Sequence, residues 1–195
     1  MDYQERIKEQ EDNLAKLHAR MQTDSDLLYL KDYVLSDPKG VAVADIVNIT
    51  LNKPAVFFAN VVSSLGAARE QVVVESLDQG IDTHAIEEFL NVAFRAANAR
   101  LLKQGQATLN VFADTQFCAR GRTARRVLFR MEDGLLIPDI TPWDGSNLTC
   151  ESGVNGLIWA ANSTTRSRSQ IEAEYGIVVK SKDGKVIDVW DDAHN

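Results

Sequence analysis

The hydrophobic period changes partway along the chain, and that change limits the folds open to it. Up to about Ala119 the apolar residues recur at helical spacing; from Arg122 onward they fall into short runs separated by turn residues. Helices first and strands later argue for an α+β fold with an antiparallel sheet, not a doubly wound parallel one.

The clearest helix covers residues 82–103. Ile86, Phe89, Leu90, Ala93, Phe94, Ala97 and Leu101 fall on one face. Thr83 is the expected cap, Glu87 and Glu88 suit the positive end of the helix dipole, and Arg100 and Lys103 suit the negative end. Gly105 closes it. Residues 2 to about 22 read as a helix with a thin stripe of Ile7, Leu14, Leu17 and Met21, which needs another surface to lie on. "DSDLLYLKDYVLSDPKG" reads as a second short helix ended by Pro38 and Gly40. Pro54 opens a helix running to about Leu65, and another is expected over 107–119.

"QVVVES" reads as a short strand. "RTARRVLFRM" pairs with "LLIPDITPW" across "EDG", a hairpin signal. "LTCES" and "GLIWAANS" form a second hairpin around "GVNG". "SRSQIEAEYG" is a short helix capped by Ser167 or Ser169, and "IVVKSKDGKVIDVWDD" a hairpin around Asp183–Gly184. The expected division is a helical segment over 1–40 and an α+β domain over 41–195. That domain stops before its sheet is complete, as a truncated or naturally short product would.

Net charge is −7, yet residues 106–170 carry seven basic against six acidic side chains. "CARGRTARRVLFR" holds five of those arginines: Arg120, Arg122, Arg125, Arg126 and Arg130. "TTRSRS" adds Arg166 and Arg168. In a strand, Arg122, Arg126 and Arg130 share a face with Ala124 and Leu128, while Thr123, Arg125, Val127 and Phe129 take the other. Three readings stay open for these seven arginines. They are a solvated sheet face paired to nearby acids, a subunit interface whose arginine forks grip carboxylates, or a surface contacting phosphate. The acidic total is unlike a basic nucleic-acid-binding domain.

Other chemistry finds little footing. His18, His84 and His194 are scattered, with no C-x-x-C or H-E-x-x-H, so no metal and no cofactor is expected. Cys118 and Cys150 lack a nearby histidine base and read as reduced, small apolar residues. Neither a phosphate-binding glycine loop nor a G-x-S-x-G elbow occurs. Asp139, Asp144 and Glu151 read as surface acids near strand turns. No run is long enough to cross a bilayer, and the amino end lacks the apolar core of a secretory signal. A non-enzymatic role is therefore expected.

The order "NITLNKPAVFFANVVSSL", strand, amphipathic helix, "CARGRTARRVLFRMEDGLLIPDITPWD", "TTRSRSQIEAEYG" and "VIDVWDD" resembles the early part of tailed-bacteriophage portal proteins. The match runs from Gly121 through Asp133–Gly134 to Pro138 or Pro142, then to Trp190 with Asp191 and Asp192, over roughly residues 26–195. The resemblance implies a wing-like α+β portion of a non-catalytic subunit of a homo-oligomeric ring. That ring forms the DNA entry and exit vertex of a phage capsid, in the virion and, during assembly, in the host cytoplasm. It implies other portal subunits and the capsid shell protein as partners, and, through a full-length ring, the packaging motor and genomic DNA. Membrane is not among them. The family's stem and clip are not visible in this chain. Protein partners would then meet the arginine run. A nucleic-acid-binding module using Arg120–Arg130 is the alternative.

Overall fold

The computed structural model describes residues 3–32, 34–68 and 72–191. Five helices and five strands follow one another in the α+β order expected: α1 (Tyr3–Leu28), α2 (Lys53–Gly66), α3 (Thr83–Lys103), α4 (Leu109–Arg120), β1 (Ala124–Glu132), β2 (Leu135–Trp143), β3 (Leu148–Gly153), β4 (Gly156–Ser167), α5 (Arg168–Tyr175) and β5 (Asp183–Asp191). The chain divides into a terminal unit, reaching Arg20 and resuming at Trp143, and a central unit, Met21–Pro142. The expected boundary at residue 40 does not coincide with this division.

In the central unit the later part of the α3 face packs as its spacing predicts, with Ala93, Ala97 and Leu101 buried, while Ile86 and Phe89 at its start stay exposed. Leu109, Ile140 and the partly buried Phe94 join Ala97 and Leu101 in one apolar cluster. The cap differs from expectation. Asp82, not Thr83, accepts the Ala85 amide at 3.1 Å, because the carboxylate one residue earlier reaches the third helical N–H. Asn98 Oδ1 accepts the Leu109 amide at 2.9 Å, tying the start of α4 to α3. Gly121 ends α4 at φ 71°, where the left-handed backbone suits glycine. β1 and β2 form a two-stranded antiparallel sheet. Their turn, Asp133 at φ 51° and Gly134 at φ 78°, has positive φ at both central residues, the geometry that matches strand twist.

Two expected elements are missing. The helix expected over 24–40 is the last turn of α1, which ends at Leu28; beyond it an isolated bridge joins Ser36 to Ala42. Tyr33, within that stretch, lies outside the described residues, as do Asp2, Gln71, Asp192 and His194. Val72–Ser76 form no strand; the Val74 amide is taken by the Glu87 side chain at 2.9 Å.

In the terminal unit β3, β4 and β5 form one antiparallel sheet with β4 central. The β3–β4 hairpin is the one expected. The hairpin around Asp183–Gly184 is not: β5 pairs with β4, from Trp159 opposite Asp191 to Ser167 opposite Asp183, and 177–182 is not strand. The reason lies in α5. Ser167 and Gln170 cap it reciprocally, and it returns the chain so that β5 lies beside β4. A Cβ on Gly184 would stand 3.0 Å from Ile171 Cδ1, so glycine lets α5 sit close to the sheet. Ile7 of α1 is buried with Trp159 and Ala161, flanked by Tyr3 and Ile187.

Burial is sparse. The chain exposes 14,295 Å², where a monomer of this mass exposes about 9,200 Å², and two separate domains of these sizes about 11,000 Å². Many large apolar side chains are among the exposed residues. α2 buries no residue, and its Phe57 is 71% exposed.

Leu101→Ala is expected to cost about 3 kcal/mol in urea unfolding, while Leu102→Ala, on the exposed side of the same turn, is close to neutral. Equal effects at the two positions would refute the assigned core face.

Candidate functional site

Two arginines of the run, Arg126 and Arg130, face a single carboxylate. Asp139 lies on β2 and is 7% exposed. Its Oδ1 accepts Arg100 Nη1 of α3 at 2.6 Å and the Thr141 hydroxyl at 3.2 Å. Its Oδ2 accepts Arg126 Nη2 at 2.9 Å, and Arg130 Nη2 stands 3.9 Å away. Arg100 also donates to the Ile140 carbonyl at 2.8 Å. Arg130 meets Glu132 at 3.3 Å as well. Three arginines thus face two carboxylates, leaving one positive charge in excess. Burial alone would raise the Asp139 pKa. The Arg100 hydrogen bond and the charges of Arg100 and Arg126 outweigh it, so the carboxyl ionises below its ordinary range. With both oxygens engaged by donors from α3 and β1, this carboxylate is placed to hold strands and helix together.

Strand alternation put Arg126 and Arg130 on one face correctly. Sequence reasoning missed that Asp139 and Arg100 complete the cluster, and Asp139 is buried, not a surface acid. Its signal was available only in retrospect: an acid two residues from Thr141 on the strand opposite an arginine-bearing strand. Arg122 is half-buried, Arg120 sits at the end of α4, and Arg125 is exposed.

Arg166 and Arg168 lie in the terminal unit and form a second cluster. Arg166 pairs with Glu174, stands 3.7 Å from Asp188, and lies over the Tyr175 ring at 5.8 Å. Burial, and then the Asp188 charge, raise the Tyr175 pKa. Arg168 Nε donates to the Ser181 carbonyl at 3.0 Å, and its Nη2 donates to the Lys180 carbonyl. Arg126, Arg130, Arg166 and Arg168 thus all face partners inside the chain.

The other two acids have structural partners. Asp144 accepts the Ser146 amide at 2.8 Å and caps the 3-10 turn Gly145–Asn147. Glu151 accepts Trp159 Nε1 at 2.6 Å and Arg6 at 2.8 Å. The Trp159 bond, then Arg6, lowers the Glu151 pKa.

Cys118 is not buried apolar filler but lines an open cleft of about 470 Å³ with Leu27, Phe57, Phe58 and Val61. A neighbouring cleft of about 670 Å³ runs along Val34, Ile49, Leu51 and Pro54, with Lys31 and Asp32 at its edge. Among the described residues no group of three potential ligands is placed to hold a metal, and no helix is long and apolar enough to cross a membrane. No protein-family model and no curated protein matches the chain.

Asp139→Ala is expected to destabilise the fold by about 3 kcal/mol at neutral pH, since it leaves Arg100 and Arg126 without their partner. A carboxyl whose folded pKa is lowered stabilises fully above its unfolded value, near 3.8, and loses that contribution as pH falls through the lower folded value. The gap between wild type and variant in urea midpoint should therefore close in acid. A gap that stays constant from neutral to strongly acidic pH would show that the charge of Asp139 is not what matters.

Proposed function

We propose that this chain is a structural assembly subunit, completed by contact with further copies, and that it serves as the wing portion of a tailed-phage portal ring. One observation carries the assembly reading: the chain leaves some 3,000 Å² or more exposed beyond what folded domains of these sizes leave. That surplus is on the scale of an obligate interface. It includes contiguous apolar surface on α2 and in the clefts beside it, the kind of surface that marks interaction sites. The portal identity rests on the resemblance in the order of segments, with which the helix–hairpin–hairpin–helix–strand succession from α4 to β5 is compatible.

A phosphate-gripping role for the arginine run draws less support. Arg126 and Arg130 already face Asp139 or Glu132, and the chain is acidic overall. A ring subunit would act by geometry. Each copy presents one surface to the next, and closure sets the channel.

Mass photometry with negative-stain electron microscopy tests the reading. Concentration-dependent oligomers, with ring-shaped particles among them, are the expected result. A chain that stays monomeric over a wide concentration range would overturn it.

A further inference from the structure

The two-stranded sheet has two outer edges, and they are unlike. The two-residue turn makes Glu132 and Leu135 the closing pair. Counting back in twos puts Pro138 and Pro142 at positions whose nitrogens face away from β1. Proline has no N–H to give, so the outer edge of β2 is blunted at both places. The outer edge of β1 has no such gap. The amides of Arg125, Val127, Phe129 and Met131 point outward there, and among the described residues no third strand joins the sheet. Their side chains form an exposed row, charged at Arg125 and apolar at the other three.

The same chain carries a segment of strand composition that lies in no sheet. Ile46–Leu51 belongs to no strand or helix. Four of its six residues are β-branched: Ile46, Val47, Ile49 and Thr50. Val47, Ile49 and Leu51 alternate, and all three are exposed, Val47 at 86%. Asp45, at φ 62°, turns the backbone immediately before this run.

We infer that Ile46–Leu51 of one copy adds in parallel to the free edge of β1 in the next copy. The register follows from the residue types. With Asp45 beside Arg125, Val47 falls opposite Val127, Ile49 opposite Phe129 and Leu51 opposite Met131. The antiparallel alternative would set Asp45 against Met131 and leave Arg125 facing Leu51. A second copy is the fitting occupant because every chain carries both halves: each gives one strand and receives one. A third strand also relieves a real weakness, since a two-stranded sheet is marginal alone. Giving and receiving through different surfaces is a head-to-tail contact, which closes into a ring when the rotation allows. The inference rests on the assembly reading above and names its contact.

The test mixes two variants. Val47→Cys chains and Val127→Cys chains, oxidised together, should form a covalent dimer absent when either is oxidised alone. Thr50→Pro should abolish or sharply weaken association, because with Ile49 opposite Phe129 in a parallel ladder the Thr50 amide is the donor that faces the Phe129 carbonyl, and proline removes it. Asp45→Arg and Arg125→Asp should each weaken association roughly tenfold, and combining both in one chain should restore it. Full association of Thr50→Pro, with no cross-link in the mixture, would overturn this contact while leaving self-assembly standing. An internal cross-link in a monomeric Val47→Cys/Val127→Cys chain would overturn it too, by showing that the strand closes on its own sheet. A wild-type monomer would remove the assembly reading and this contact together.

Discussion

The central unit depends on a carboxylate taken out of water among arginines. Its apolar cluster is small, chiefly Ala97, Leu101, Leu109 and Ile140. Four such side chains supply only a few kcal/mol of burial against the entropy of ordering the chain. A β-hairpin resting on so little could slide over the helix beside it. Asp139 prevents this by accepting Arg100 from α3 and Arg126 from β1 while itself belonging to β2. Sliding any one of these elements would strand a half-buried charge, which is far costlier than losing a surface ion pair. The ion cluster fixes position where apolar contact alone would not.

The terminal unit reaches a similar end by another route. Trp159 is almost wholly buried in the central strand of its sheet, so its indole N–H must find an acceptor. Glu151, on the neighbouring strand β3, accepts it. The same carboxylate holds Arg6, whose guanidinium lies 5.1 Å from the Trp159 ring and 5.6 Å from the Tyr3 ring. Tyr3 in turn donates to Asp191 at the end of β5. The first turn of α1 is thereby bound to all three strands, and a helix with a thin apolar stripe is held largely by polar and aromatic contacts.

Sequence reading succeeded where the decision is local. The stripe of α3, Pro54 at the start of α2, the turn at Asp133–Gly134 and the Ser167 capping box each involve residues within about one helical turn or one hairpin of each other. It failed where the deciding partner is distant or competes. Arg100 and Asp139 are 39 residues apart, and no periodicity links them. Val72–Ser76 has strand composition, but a glutamate from α3 claims its Val74 amide. The last strand had two candidate neighbours. The near one, 177–182, lost to β4 because α5 turns the chain back on the sheet and Arg168 pins the carbonyls of Lys180 and Ser181 to its own side chain. Among the arginines read as a candidate contact surface, the acid partners of Arg126, Arg130 and Arg166 became visible only once those acids had been placed.

The arginine density on β1 has a further physical sense. An edge strand with exposed Val127, Phe129 and Met131 invites indiscriminate pairing, and charged side chains are the usual means of suppressing it. Positive charge at Arg125, Arg126 and Arg130 repels a second β1 edge laid against it, since like charges would face each other across the new ladder. It does not repel a neutral strand led by an aspartate. Ile46–Leu51 has no charge of its own, and Asp45 precedes it. The placement of positive charge in an acidic chain thus follows from the edge it sits on: Arg126 braces β1 to β2 through Asp139, which Arg100 ties to α3, and Arg125, outside that cluster, is left to choose which strand may dock.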